Sequence, residues 1–246
     1  MAELTASLGV TIANANAGAD GHIARDAAAG NALYTTGEAT SPGHHYSSGR
    51  GHSYYRAFLA FDTSGIDSAP LLEVADSPAF TINIFGYGSV QGDFITYKAN
   101  LTSSTALLNT ANFNDFDGWV SGSAFTGSVY GSFLTASLIT STDISNPAYQ
   151  PITGTAELAD AMQNNDFVSM VIVGHYHDAQ YNADDETAGP RWLIDSTDGR
   201  PSGASPPKII YTAGTTKSKI LGISPAKQKS VSGVARDKAT KVYDRR

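Results

Sequence analysis

The sequence predicts an all-β fold, arranged as a two-sheet β-sandwich with one short helix and an extended C-terminal tail, and three observations carry that prediction. Of 246 residues, 41% are hydrophobic, only 16% are charged and 24 are glycine, which suits short strands joined by many turns better than a helical bundle. Several segments are rich in β-branched and aromatic residues and stop at Gly, Pro, Asn or Asp. No strand-helix-strand rhythm of the kind that builds a parallel sheet is visible.

In chain order, residues 1–49 are rich in Ala, Gly, Asn and Thr, with modest strands expected at Leu8-Gly9-Val10-Thr11-Ile12 and Ala32-Leu33-Tyr34. Gly18-Ala19-Asp20-Gly21-His22-Ile23 reads as a turn entering a strand, because Asp-Gly tolerates positive backbone dihedrals. Ser41 to Gly49, containing His44 and His45, reads as a polar loop. The central strand is Tyr54-Tyr55-Arg56-Ala57-Phe58-Leu59-Ala60-Phe61, which ends abruptly at Asp62-Thr63-Ser64-Gly65. Apolar side chains fall on both parities, the pattern of a strand covered on two faces. Tyr55, Ala57, Leu59 and Phe61 share one face; Tyr54, Arg56, Phe58 and Ala60 share the other. Arg56 is the odd member: inside, it requires a carboxylate or carbonyl partner, and at an edge it would sit in water.

After Pro70, Phe80, Ile82 and Ile84 alternate with Thr81 and Asn83 as in a strand with one wet face, and Phe94-Ile95-Thr96-Tyr97 continues the sheet. Residues 100–127 carry Phe113, Phe116, Trp119 and Phe125 among Asn, Asp and Gly, and read as a long packed loop before a strand at Val129 to Ile139. One helix is expected: Thr155 caps it, Glu157 lies in its first turn, Leu158, Ala161 and Met162 make its apolar face, and it stops at Asn164-Asn165-Asp166. Phe167 to Gly174 is a second fully buried strand, and Trp192-Leu193-Ile194 and Ile209-Ile210-Tyr211 supply the last two. Eight to ten short strands with one helix point to a jelly roll.

His175 and His177 lie two apart on what reads as a strand, so both point to one side, with Asp178 and Asp184-Asp185-Glu186 close behind. His-x-His with a carboxylate suits zinc, and the acidic loop alone suits calcium. The spacing matches no twelve-residue calcium loop, however, so no cofactor is expected, with a calcium or zinc ion as the alternative. His44, His45 and His52 would complete such a site if their loops meet; solvation is the plainer reading. Cysteine is absent, which rules out disulfides, Cys-based zinc sites and thiol nucleophiles. No Gly-x-Ser-x-Gly elbow, phosphate loop or dinucleotide fingerprint occurs, so no enzyme activity is expected. Tyr54, Tyr55, Tyr87, Trp119, Tyr130, Tyr176 and Trp192 offer either stacking faces for sugars or core packing.

The net charge of −7 hides a division. Residues 1–214 hold 7 Lys and Arg against 21 Asp and Glu, near −14, whereas residues 215–246 hold 9 against 2, near +7. Such asymmetry marks a tail with a separate task. Within it, Ile220-Leu221-Gly222-Ile223-Ser224-Pro225-Ala226-Lys227 is echoed eleven residues later by Val231-Ser232-Gly233-Val234-Ala235-Arg236-Asp237-Lys238. A segment this small cannot bury those aliphatic side chains against itself, so Lys219, Ile220, Ile223, Lys227, Val231, Val234 and Lys238 are expected to dock on a partner subunit. Nucleic acid is disfavoured, since no aromatic residue stands among the basic ones until Tyr243. Neither an export signal nor an apolar run long enough to cross a bilayer is legible, so no signal peptide and no membrane contact are expected.

Three segments recur, in this order, in the DNRLRE-type jelly-roll modules related to carbohydrate-binding modules: Asp20-Gly21-His22-Ile23, Tyr55 to Ser64, and Pro206-Pro207-Lys208-Ile209-Ile210-Tyr211. The body resembles these modules over most of residues 20–213, with Phe61-Asp62-Thr63-Ser64 the most specific element. The piece from Asp166 to Asp178 is similar to versions carried by virion proteins of tailed phages. The resemblance implies a lectin-like sandwich without catalytic residues. The expectation is a phage structural protein made in the host cytoplasm and carried in the virion, as capsid decoration, neck, tail or fibre. Residues 1–214 would be its sandwich domain and 215–246 its docking tail, with copies of itself and other virion structural proteins as partners. The alternative is a carbohydrate-binding module for a bacterial surface glycan.

Overall fold

The structure, a computed structural model, describes residues 1–16, 20–35, 42–47, 51–71, 73–74, 77–78, 80–86, 94–134, 148–182 and 206–214. Its elements are β1 (Ala2–Thr5), β2 (Leu8–Asn16), α1 (Gly21–Arg25), β3 (Ala32–Tyr34), β4 (Gly43–Ser47), β5 (Gly51–Asp62), β6 (Glu73–Val74), β7 (Ser77–Pro78), β8 (Phe80–Gly86), β9 (Phe94–Lys98), β10 (Val129–Leu134), β11 (Ala148–Thr153), α2 (Ala156–Asn164), β12 (Phe167–Gly174) and β13 (Lys208–Tyr211). The fold is all-β, and the strand pairs are antiparallel. One sheet has the order β1-β13-β8-β11; a larger one runs β10-β9-β12-β5-β2-β3, with β4 also paired to β5, and β6 pairs with β7.

β5 is the axis of the larger sheet. β2 runs along one of its edges from Asn16 opposite His52 to Leu8 opposite Ala60. The other edge is shared end to end: β12 covers Ala57 to Asp62, and β4 covers Gly51 to Tyr55. Arg56 falls in the break between the two. The expected division of faces holds. Ala57, Leu59 and Phe61 join a core cluster with Met170 and Ile172 of β12, Ile152 of β11, Ile209 of β13 and Leu158 and Met162 of α2, so residues of both sheets meet in it. Tyr54, Phe58 and Ala60 join a second cluster with Ile12, Ile95, Val171 and Val173, covered by Phe113, Phe116 and Phe125 from the long segment after β9.

That segment packs as the sequence predicts. Its backbone closes on itself at Gly118, where φ is +76° and an added Cβ would lie 1.7 Å from the Gly127 nitrogen. α2 also forms as expected: the Thr155 hydroxyl accepts from the Leu158 N–H at 3.4 Å and donates to the Val129 carbonyl at 2.7 Å. Asn164 donates back to Asp160 at the helix end.

Two expectations are overturned. Asp20-Gly21-His22-Ile23 does not enter a strand; the Asp20 carboxylate accepts from the N–H groups of His22 and Ile23 and caps the short helix α1. The same Asp-Gly chemistry that permits a turn also supplies an N-cap, and local pattern does not separate them. The loop expected at Ser41 to Gly49 instead contains β4, because the unpaired stretch of β5 beyond β12 offers it an edge. Strands β1 and β11 were not anticipated, being short or interrupted by Pro151. The strand expected at Trp192-Leu193-Ile194 and the tail from 215 to 246 lie outside the described residues.

Leu59→Ala should cost about 2–5 kcal/mol in urea unfolding, the range for emptying a fully buried aliphatic site. Gly118→Ala should cost about 2 kcal/mol or more, since its clash is with backbone, whereas Gly65→Ala, with open space around it, should stay within about 0.5 kcal/mol.

Candidate functional site

The face of the larger sheet that bears Arg56 holds a dense group of buried polar side chains. Arg56, fully buried, makes a bidentate pair with Asp178: Nε donates to Oδ2 at 2.8 Å and Nη2 to Oδ1 at 2.7 Å. Nη2 also donates to the Arg25 carbonyl at 3.1 Å, and Nη1 donates to the Phe113 carbonyl at 3.2 Å and to the Asn114 side-chain oxygen. All five guanidinium donors are thus used. The Phe113 ring lies 4.0 Å from the guanidinium carbon. Arg25, equally buried, donates to the Asp178 carbonyl at 2.7 Å, to Asp26 at 2.5 Å and to the Ser123 carbonyl at 2.8 Å. Its guanidinium carbon sits 4.4 Å from the Phe125 ring and 4.5 Å from that of Tyr181. Two guanidiniums and two carboxylates therefore balance one another while tying together α1, β5, the 113–126 segment and the turn after β12. Burial, with the Asp178 charge adding to it, pushes the neighbouring Tyr97 hydroxyl up to about 12, a phenol that stays protonated.

Beside this knot lies a group of histidines on the same face. Register places His44 opposite Tyr54 and Tyr46 opposite His52. His44 Nε2 and His52 Nδ1 are 2.9 Å apart, so one ring donates and the other accepts. The His44 ring also packs 4.4 Å from His177 and 4.6 Å from Tyr54. Burial first, then the charges that His177, His52 and His45 would carry, pull the His44 pKa down to about 2. Solvation, the plainer sequence reading for His44 and His52, is therefore overturned: both are buried because β4 pairs with β5 and carries them onto a covered face.

The proposed metal set is separated by the local backbone. His175, His177 and Asp178 do not continue a strand; β12 ends at Gly174 and residues His175–Ala179 form a π-helical turn. Asp178 turns inward to Arg56, while the His177 ring faces His44 and its Nδ1 lies 3.1 Å from the Asn182 carbonyl. Among the described residues, no group of three or more His, Asp and Glu side chains is arranged to hold a metal ion. Asp184-Asp185-Glu186 and the tail residues Lys219, Ile220, Ile223, Lys227, Val231, Val234 and Lys238 lie outside the described residues. Of the aromatic candidates, Tyr54 and Tyr130 are core, Tyr55 and Trp119 are half-buried, Tyr176 is exposed, and Tyr87 and Trp192 lie outside the described residues.

A cleft of about 790 Å³ opens on another side, between α2 and the strand ends at Lys98 and Phe167. Leu101, Ala161 and Phe167 give it an apolar floor, and Glu157, Asp160 and Asp166 line it with exposed carboxylates. The Thr63 N–H and hydroxyl, donating to the carbonyls of Asp166 and Asn165, hold the turn after α2 against the end of β5. Sequence reading missed this cleft and missed Arg25 and Asp26. The scarcity of basic residues in the body, 7 in 214, was the signal that each one had a specific place. No protein-family model matches the chain, and no curated protein matches it in sequence.

Asp178→Asn should cost on the order of 3–5 kcal/mol by leaving Arg56 buried without its counter-charge. Urea unfolding with and without a chelator should show the same loss; a loss that appears only when metal is present would restore the metal reading of Asp178. His44 gives an acid-side prediction. Its folded pKa lies below the unfolded value of 6.5, so the folded state binds fewer protons. Its contribution is complete above pH 6.5 and declines as pH falls from 6.5 toward about 2, by up to about 1.4 kcal/mol per pH unit. Unfolding at pH 7.5 and 4.5 should therefore show a smaller acid loss in His44→Phe than in the parent.

Proposed function

We propose that this chain is a non-catalytic structural component of a tailed-phage virion: a jelly-roll sandwich body that assembles with copies of itself and with other virion proteins through its basic C-terminal tail. The four-stranded and larger sheets would be the two layers of the sandwich, a reading supported by the one cluster that contains Leu59 and Met170 from one sheet and Ile152 and Ile209 from the other. The observation that carries the assembly role is the charge division: near −14 on residues 1–214 against near +7 on residues 215–246, the latter bearing two copies of an aliphatic-x-Gly-aliphatic pattern with Lys four residues on. Opposite charge favours encounter between copies, and aliphatic side chains buried at the contact supply adhesion. The interior supports a mechanical role as well, because Arg25, Arg56, Asp26 and Asp178 satisfy one another and hold segments in place.

A carbohydrate-binding module is the second reading, favoured by Tyr176, which stands 46% exposed beside the histidine group and could stack on a sugar. A glycan array separates the two: binding that disappears in Tyr176→Ala would favour the module.

Deleting residues 215–246 should leave the melting temperature of the body within a few degrees of the parent while abolishing its incorporation into particles. Normal incorporation of the truncated chain would overturn the assembly role of the tail.

A further inference from the structure

We propose that the cleft between α2 and the ends of β9 and β12 is the receptor for the basic tail of a second copy of this chain, one aliphatic-x-Gly-aliphatic repeat with its following Lys per cleft. The inference rests on the reading of residues 215–246 as an assembly strap and adds where that strap lands.

Three features match. The chemistry of the cleft is divided as the repeat is divided. Its floor of Leu101, Ala161 and Phe167 suits the paired aliphatic side chains of Ile220 and Ile223 or of Val231 and Val234. Its carboxylates, Glu157, Asp160 and Asp166, suit the lysine that follows each pair by four residues, Lys227 or Lys238. Against three carboxylates the lining offers a single cation, Lys98, so the local charge attracts a basic segment.

The carboxylates are presented on firm supports. Glu157 and Asp160 are three residues apart on α2 and therefore share a face. Asn164 donates to Asp160 from one turn further on, and the turn bearing Asp166 is bonded to Thr63. Little side-chain or loop ordering is then needed on binding.

Size argues for a second copy. At about 790 Å³ the cleft lies within the range of about 300–1,000 Å³ that takes a drug-sized ligand, enough for one short repeat and too small for two spread over residues 220–238. Two equivalent repeats call for two equivalent receptors, and equivalent receptors are what further copies of one chain provide.

The test uses the full chain in two charge-reversed forms: Glu157→Lys/Asp160→Lys in the cleft, and Lys227→Glu/Lys238→Glu in the tail. The parent should self-associate by light scattering at low salt and dissociate as salt rises. Each variant alone should lose about tenfold or more in association constant, with an unchanged circular dichroism spectrum. Mixing the two should restore association, because the intact tail of one meets the intact cleft of the other; the unchanged circular dichroism spectra show that both variants are folded. A mixture that stays monomeric would overturn docking between copies. Loss of association in the tail variant but not in the cleft variant would overturn the cleft while leaving the strap reading intact; association untouched in both would overturn the two together. A parent chain that stays monomeric at every concentration, or a cleft variant that loses only glycan binding, would also overturn the proposal.

Discussion

The structure depends on one buried ion pair. Arg56 projects from the middle of β5 onto a face where Tyr54, Phe58, Phe113 and Val171 are buried, and it lies where β12 stops pairing with β5 and β4 has not yet begun. An isolated guanidinium there would be untenable. Asp178 meets it because the chain leaves β12 in a π-helical turn rather than in a continued strand, which brings the carboxylate back over the sheet. The remaining donors of Arg56 reach the carbonyls of Arg25 and Phe113 and the Asn114 side chain, so segments distant in sequence must all be in place before the charge is satisfied.

That requirement has a structural consequence. β5 is apolar on both faces, and both must be covered. On one, Ala57, Leu59 and Phe61 share a cluster with Ile152, Ile209, Leu158 and Met162, a packing that needs nothing beyond complementary shape. The other is covered by a segment with little regular structure of its own, residues 99–127, whose phenylalanines would not by themselves specify a single arrangement. The polar knot supplies the specificity: Arg56 and Arg25 bind that segment's carbonyls at fixed points while Phe113 and Phe125 stack on the guanidiniums. His44 extends the same face toward β4 without adding charge, since burial keeps it neutral.

Residues 1–214 carry 21 Asp and Glu against 7 Lys and Arg, and the cleft beside α2 gathers three of those carboxylates over an apolar floor. The tail carries the inverse combination. In the proposed assembly, folding and association therefore draw on different parts of the chain: the core of the body fixes the shape of the receptor, and the terminal segment provides the ligand.

By itself the sequence determined what periodicity and capping can encode. The two-sided β5, the buried β12, the packed segment around Phe113 and the Thr155-capped helix were all legible, because each rests on contacts within a few residues or on a hydrophobic pattern that only one kind of element fits. It also marked Arg56 as needing a partner if buried, with an edge position in water as the alternative. Tertiary structure alone decided which partner, because Asp178 is 122 residues away and its neighbours, His175 and His177, made it read as a metal ligand. Tertiary structure likewise turned Asp20-Gly21 into a helix cap and gave residues 43–47 a strand's pairing, since local chemistry there fits two conformations and only a neighbouring edge or face selects one. The cleft was invisible for the same reason: its floor and its carboxylates come from α2, β9 and β12 together, and no single stretch of sequence contains the shape they make.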